Sequence, residues 1–399
     1  MIMGKIFKKR TSVDEALGLF LERISTIKKT EELSLETCTG RVLAEAVISE
    51  RNVPHYRRAS MDGYAVKASD TMGASPSNPI MLQLSDQVEE GSLTWVHTGA
   101  AVPEGANAVV MVEDSIAAGN LVEVRAQVYP NRNVEQVGED IKEGDVIFEK
   151  GHLLRPCDAA VLASLGLDRV KVFNKPVVAV IPTGDELVSR KRSRDVLPPG
   201  MVLETNGLMS ALYVKKWGGI PRDLDIVPDN PDSIKMVIEA NLDADMILLS
   251  GGTSVGKRDH GPEIVAALGE LLVHGIGVIP GKPSALGVIN DVPIVCLPGY
   301  PVAGFVALNF FVRPGIRKLA AIPEAPEPTL KRRLTAKVSS KIGYVSFIRV
   351  VFEGDKVRPL SGDGAGALSS VAKADGYVLV PENIEGYDEE EEVDVFLIE

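Results

Sequence analysis

The sequence predicts a multidomain α/β plus β fold: a central α/β three-layer domain with a mostly parallel sheet, an N-terminal extended region with an inserted β subdomain, and a small C-terminal β-barrel. Three observations carry this reading. Between residues 175 and 322, apolar runs of strand length alternate with apolar residues at helical spacing. From Ile80 to Val128, and again after Thr329, the runs are short, strand-like and bounded by glycine turns. Ile322 to Pro328 carries three prolines in seven residues, the mark of a linker. The expected divisions are 1–174, with 51–144 as the inserted β subdomain, then 175–322 and 323–399. A chain of 399 residues is too long for one ordinary core.

The elements follow in order. Ser12 to Glu15 is a capping box, and Val13, Ala16, Leu17, Phe20, Leu21 and Ile24 recur at helical spacing. Leu33 and Leu35 alternate as in a strand. Gly40 to Val47 reads as a short helix or turn. Arg51 to Arg58 is basic and non-periodic and runs into Ala59 to Val66. That pair of segments is either an anion-facing surface or a solvated loop with a hairpin turn at Asp62-Gly63. In the β unit, turn signals fall at Glu90-Gly91, Glu104-Gly105 and Gly119-Asn120. Glu139 and Asp140 read equally as ligand-facing or turn residues.

Pro156 to Leu165 reads as a helix and Arg169 to Phe173 as a strand. Val177 to Ile181 is an apolar strand. Glu204 to Trp217 is helical and stopped by Gly218-Gly219. Asp223 to Val227 reads as extended, Pro231 to Leu242 as helical, Met246 to Leu249 as a buried strand. A helix opens at Gly261-Pro262-Glu263, with proline suited to a first turn, and another spans Val302 to Leu319. The C-terminal strands are expected at 334–338, 344–352, 356–359, 376–380 and 392–398.

Composition excludes several classes. Net charge is −12, which disfavours nucleic acid as a partner. The apolar run Ala303 to Val312 falls far short of the roughly 20 residues that span a bilayer. The first ten residues lack the apolar stretch of a secretory signal, so a cytoplasmic home is expected. Cys38, Cys157 and Cys296 are scattered, and the five histidines show no i,i+4 pairing, which argues against a disulfide scaffold or a zinc site.

Chemistry concentrates in four loops. Met246 to Leu249 ends in Ser250-Gly251-Gly252-Thr253-Ser254, where missing Cβ atoms and hydroxyl donors suit a phosphate cradle. Val177 to Ile181 ends in Pro182-Thr183-Gly184-Asp185-Glu186. Gly275 to Ile279 ends in Pro280-Gly281-Lys282-Pro283. Val292 to Leu297 ends in Pro298-Gly299-Tyr300-Pro301. In open α/β sheets ligands bind at the carboxyl ends of strands, so these loops would share one edge. Asp185, Glu186, Asp229 and Asp259 are expected there, as carboxylates suited to Mg²⁺ and bound phosphate. Taken singly, each is as readily a helix cap or a solvated turn, Asp259 especially. Lys282, between two prolines, can set one ammonium against developing negative charge.

These motifs, with Ser60-Met61-Asp62-Gly63-Tyr64-Ala65-Val66, Thr98-Gly99-Ala100 and Gly138-Glu139-Asp140-Ile141, resemble the molybdopterin molybdenumtransferase family (MoeA, and the E domain of gephyrin) over essentially the whole chain. The resemblance implies insertion of molybdate, or tungstate, into adenylylated molybdopterin with release of AMP. It implies Asp259, Lys282, Glu186 and Asp62 as catalytic residues. It implies a nucleotide-pterin site of Thr183, Gly184, Asp185, Ser250, Gly251, Gly252, Thr253, Ser254, Pro280, Gly281, Pro298, Gly299 and Pro301, and a magnesium site of Asp185, Glu186 and Asp259. Asp62, Thr98 and Asp140 would come from the second subunit of an elongated homodimer. Arg349 and Ser369 or Ser370 are further candidates. Functional partners by the same resemblance are molybdopterin adenylyltransferase and downstream molybdo- or tungstoenzymes. Two positions depart from the family pattern: Ile279, where many members are basic, and Tyr300, where many have asparagine. The rival readings are molybdopterin adenylyltransferase itself and a non-catalytic scaffold on the same fold.

Overall fold

The computed structural model describes residues 10–190, 196–251, 260–360, 364 and 366–398. Helix α1 (Val13–Glu22) starts where expected: the Glu15 N–H donates to Ser12 Oγ at 3.2 Å, and Val13, Ala16 and Phe20 are buried. The chain forms two units, one of residues 32–39 with 43–171, the other of the chain up to Glu31, residues 40–42 and Val172 onward.

The first unit is built on strands β1 (Gly63–Val66), β2 (Ile80–Leu84), β3 (Ser92–Val96), β4 (Ala108–Met111), β5 (Ser115–Ala118) and β6 (Leu121–Val124), in the order β4-β1-β3-β2-β6-β5. All pairs are antiparallel except β2 with β3. Period two sends Tyr64 and Val66 into one cluster and Ala65 into another. Gly91, Gly105 and Gly119 take φ of +80°, +87° and +68°, at the expected turns. Asp62-Gly63 is not a hairpin turn. Gly63 opens a strand paired on both sides, with Val96 and Met111, and a Cβ there would overlap the Val110 carbonyl oxygen. The glycine serves close approach, not reversal. Residues 40–47 form turns rather than a helix, and in this unit the Leu43 N–H donates to His152 O (2.9 Å) and that of Ala44 to Lys171 O (3.0 Å). Helix α2 (Pro156–Ser164) is anchored by Asp158, whose carboxylate accepts from the Arg155 N–H at 2.8 Å.

In the second unit, β7 (Val177–Pro182), β8 (Ile220–Asp223), β9 (Met246–Ser250), β10 (Glu270–His274), β11 (Ala285–Ile289) and β12 (Val292–Leu297) form a sheet in the order β8-β7-β9-β12-β11-β10. The first four are parallel; β11 is antiparallel to both its neighbours. Val178, Val180, Met246, Leu248, Val295 and Leu297 share one cluster with α1, α3 (Asn206–Lys216) and α6 (Pro301–Ala307). Ala179, Ile181, Ile247, Leu249, Ile294 and Cys296 share the other with α4 (Pro231–Glu239) and α5 (Gly261–Leu268). The result is three layers. The helix expected over 302–319 is α6 and α7 (Arg313–Leu319) joined by a π segment at Leu308–Val312. Pro314, which has no N–H to bond Phe310, is the second residue after that segment.

Three strand expectations shift, one of them the strand expected at 334–338, which runs over Thr329–Leu334 instead. The extended run expected at 223–227 is β8, which starts directly after Gly218-Gly219; beyond it only Val227 bridges the sheet, at Thr183. The run 275–279 is not a strand of this sheet, because Val278–Ile279 pairs with Val345 and Ser346. The strand that feeds the lysine loop is β10.

Toward the C-terminus, β13 (Thr329–Leu334), β14 (Val345–Glu353), β15 (Lys356–Pro359), β16 (Gly376–Val380) and β17 (Glu392–Leu397) close on themselves through β14-β15-β13-β17-β16-β14. Leu334, Val350, Val357, Val378 and Val395 fill this barrel. Helix α8 (Leu368–Lys373) had no sequence expectation. No described helix is long and apolar enough to cross a membrane.

Candidate active site

Register aligns the ends of three parallel strands. Pro182 pairs with Ser250, and Ser250 with Leu297. The loops beginning at Thr183, Gly251 and Pro298 therefore leave the sheet side by side. They are locked together: the Thr183 N–H donates to Ser250 O at 2.8 Å and the Gly251 N–H to Leu297 O at 3.2 Å. Thr183 Oγ1 also lies 3.3 Å from Ser250 O, so both Thr183 donors face the sheet. Thr183 and Ser250 are buried, so these two residues shape the edge rather than reach from it. Gly251 adopts φ +113° against the Thr183 carbonyl. Gly299 faces Gly251, whose Cα would lie 4.0 Å from a Cβ placed there. Pro301 occupies the first turn of α6, as expected.

The acidic loop sits on the same edge. Gly184 has φ +151°, and a Cβ there would meet both Glu186 carboxylate oxygens at 2.8 Å, so Glu186 folds back over it. Asp185 Oδ1 accepts the Asp229 N–H at 3.1 Å. Both Asp185 and Glu186 are exposed.

Topology brings Lys282 to this edge as well. His274 pairs with Ala285, and Ala285 with Cys296, so the 275–284 connection also leaves at the carboxyl ends. It is tied by Gly275 N–H to Ser284 O (3.2 Å), Ile276 N–H to Lys282 O (2.9 Å) and Ser284 Oγ to Gly281 O (2.7 Å). Pro280 and Pro283 flank the exposed lysine, and Gly281 takes φ +130°.

Two features escaped the sequence reading. Asn206, the first residue of α3, donates from Nδ2 to Gly299 O at 2.8 Å and steadies the loop after β12. Glu204 is buried and accepts from the Gly207 N–H (2.5 Å) and Arg190 (3.0 Å), while Arg190 also reaches Asp223 at 2.7 Å. Glu-Thr-Asn-Gly directly before a helical run was the available signal.

In the first unit, Asp62 and Thr98 are in contact: Asp62 Oδ1 accepts from the Thr98 N–H at 2.6 Å and from Thr98 Oγ1 at 3.0 Å. Those two bonds hold the Asp62 carboxyl below the ordinary carboxylate range, with help from His97. Asp140 is exposed on a turn whose N–H donates to Val53 O at 3.1 Å. Glu139 is a turn residue, accepting the Gln136 N–H at 2.7 Å.

Gly252, Thr253, Ser254 and Asp259 lie outside the described residues. The N-cap of α5 falls on His260. Among the described residues no group of three His, Cys, Asp or Glu side chains is placed to hold a metal ion. In the barrel, buried Arg349 donates to Ser370 Oγ at 2.5 Å, which singles out Ser370 over Ser369.

This architecture recurs in known proteins. Three family models match the chain: MoeA N-terminal region (domain I and II) over residues 11–166, probable molybdopterin binding domain over 179–318, and MoeA C-terminal region (domain IV) over 331–398. A protein of Methanocaldococcus jannaschii assigned to molybdopterin biosynthesis is 38% identical, over 99% of this chain and 100% of its own. The molybdopterin molybdenumtransferase of Haemophilus influenzae is 31% identical, over 92% and 94%. The crystal structure of the molybdopterin biosynthesis MoeA protein from Pyrococcus horikoshii superposes with a TM-score of 0.85 at 34% identity, covering 98% of this chain and 100% of that one. The fold and the loop-bearing sheet edge thus define a protein of the molybdopterin-binding class. Within that class, the order of the three matched regions and the identity along the whole length are decisive. The chain belongs to the molybdopterin molybdenumtransferase (MoeA) family.

Proposed function

We propose that the protein is a molybdopterin molybdenumtransferase, inserting molybdate or tungstate into adenylylated molybdopterin and releasing AMP. The observation that carries this reading is the convergence of the Thr183, Gly251, Lys282 and Pro298 loops on one sheet edge, fixed by strand register. A pyrophosphate needs several donors at one place, and separate turns from parallel strands supply them.

Each residue then has a part. Gly251 and Gly299 keep the edge free of side chains so that phosphate can approach backbone. Lys282, on a loop held by its own hydrogen bonds, offsets the charge that grows on phosphate oxygen as the anhydride breaks. Magnesium is implied by the family. Asp185 and Glu186 are adjacent exposed carboxylates, hard oxygen donors of the kind that bind Mg²⁺ alongside substrate phosphates, so the residues present fit the ion. When bound it would neutralise phosphate charge.

In this reading the protein works in the cytoplasm as a homodimer, with Asp62, Thr98 and Asp140 of one copy completing the site of the other. Adenylylated molybdopterin arrives from an adenylyltransferase, and the metallated product passes to molybdo- or tungstoenzymes. The test is AMP production from adenylylated molybdopterin with molybdate, with tungstate and with neither. Oxyanion-dependent AMP supports the reading. Adenylylation of molybdopterin by ATP, without AMP release, would replace it with the adenylyltransferase.

A further inference from the structure

In the first unit a run of side-chain contacts leads from the core to Asp62. Gly63 of β1 pairs with Val96 of β3 in an antiparallel register, so one step beyond that pair Asp62 and His97 stand opposite each other. Trp95 lies two residues before His97, hence on the same face. Its ring meets the buried Tyr64 ring edge-on, with centroids 5.0 Å apart, and meets the His97 imidazole at 5.5 Å. The Trp95 Nε1–H donates to His97 Nε2 at 3.2 Å. An indole nitrogen only donates, so Nε2 is the acceptor and the proton of the neutral imidazole sits on Nδ1. Nδ1 lies 3.9 Å from Asp62 Oδ1. The Thr98 N–H and hydroxyl reach that same oxygen, at 2.6 and 3.0 Å. Among the described residues no donor reaches Asp62 Oδ2.

We propose that His97, aimed by Trp95, is a positioning residue for Asp62: with Thr98 it gathers the donors on Oδ1 and leaves Oδ2 as the oxygen offered to substrate. This role rests on the transferase reading for what Asp62 does, and on local geometry for how it is held. The 3.9 Å separation exceeds a direct hydrogen bond. What His97 sets before Oδ1 is the positive end of an N–H dipole, which favours the charged carboxylate and opposes its turning Oδ1 away. The other tautomer would set a nitrogen lone pair against the carboxylate, and the Trp95 N–H is what disfavours it. The lowered Asp62 carboxyl agrees in direction: the Thr98 bonds lead and His97 adds to them. Among the described residues Asp62 is the one carboxylate that pairs with His97. The His97 and Asp62 side chains are 76% and 53% exposed, so the pair adds little to stability and its value lies in orientation.

The test joins two readouts on the full-length protein. Nitrogen NMR of the imidazoles reports the His97 tautomer, its signal being the one lost in His97→Ala. Molybdate-dependent AMP release gives kcat and KM in His97→Ala, His97→Asn and Trp95→Phe. In the wild type the ring should carry its proton on Nδ1. Trp95→Phe keeps a ring against Tyr64 but loses the N–H, so the signal should move toward the Nε2–H form. His97→Ala should lower kcat roughly fivefold or more with KM within about twofold, because ground-state binding is not what His97 sets. His97→Asn, whose amide N–H can stand in for Nδ1–H, should restore most of that loss. A wild-type ring protonated on Nε2 overturns the role, as does wild-type kcat in His97→Ala. Equal losses in His97→Ala and His97→Asn also overturn it, since they trace the effect to the bulk of the ring. His97 is exposed, so its variants lose no core packing. If the wild type releases no AMP with any oxyanion, the transferase reading falls, and the Asp62 carboxyl carbon signal decides the positioning alone. A shift of that signal in His97→Ala supports it, and an unchanged signal sinks it. Normal release in both wild type and His97→Ala sinks the positioning and leaves the transferase standing.

Discussion

The backbone of Gly251 lies so close to Thr183 that a Cβ at position 251 would overlap the Thr183 carbonyl oxygen. The same residue holds φ +113°, a conformation that side chains disfavour. Sterics and backbone conformation therefore both require glycine where two strand ends meet. Gly251→Ala is expected to cost about 1–3 kcal/mol of stability and to lower AMP release at least tenfold, because the neighbouring loops must shift. Urea unfolding and AMP release together check this; a variant with wild-type values on both would remove the close approach from the account.

Asp62 provides a pH test. The Thr98 N–H and hydroxyl hold its carboxyl below the ordinary range. Thr98→Val keeps the backbone donor and removes the hydroxyl, so the Asp62 pKa should rise toward an unperturbed carboxyl. If Asp62 acts as a carboxylate in the reaction, the acid limb of the pH–rate profile moves to higher pH in this variant, with the plateau at neutral pH largely kept. An unmoved acid limb would take Asp62 out of the ionised machinery.

Asp158 makes a stability prediction. Its buried carboxylate accepts from the Arg155 N–H and Nε (2.8 and 3.1 Å), from Arg155 through its other oxygen (2.8 Å), and pairs with His152 Nε2 at 2.8 Å. The Arg155 hydrogen bonds lead in pushing its pKa far down. A folded-state pKa below the unfolded one gives stability that is whole above about pH 5 and drains away as pH falls through about 4 and lower. Asp158→Asn should therefore cost on the order of 2 kcal/mol at pH 7, and the gap to wild type should narrow in urea titrations near pH 3. A gap that does not change with pH would mean that the charge contributes nothing.

Much of the fold could be read from residue pattern. The alternation from Val177 to Leu297 gave the three-layer domain because both faces of its strands are covered, which leaves long apolar runs. The short strands after Thr329 gave the barrel through their glycine turns. Gly63 was less legible. Asp-Gly is a strong turn signal locally, but here the glycine answers to the Val110 carbonyl of a strand far along the chain, and one-dimensional pattern carries no trace of that. Position 279 shows the same limit: its apolar neighbours looked like a sheet strand, yet pairing with Ser346 is decided by the barrel. At the site, glycine and proline marked the loops. Asn206 was hidden because its role is a single bond to the Gly299 carbonyl.

Gly63→Ala follows from that pairing. A methyl group directed at the Val110 oxygen must push β1 from β4, so this variant should be destabilised by more than about 2 kcal/mol, with exchange protection lost first in β1, β3 and β4. Hydrogen exchange resolves this; uniform protection equal to wild type would contradict it.

The central claim is that loops from one sheet edge act together on a phosphoanhydride, with Lys282 as the positive charge among them. Single-turnover AMP release from adenylylated molybdopterin, with and without molybdate, in wild type and Lys282→Ala, tests it most directly. The account predicts molybdate-dependent release in wild type and a loss of at least a hundredfold in Lys282→Ala with unchanged thermal unfolding. Wild-type rates in Lys282→Ala, or release indifferent to molybdate and tungstate, would contradict it.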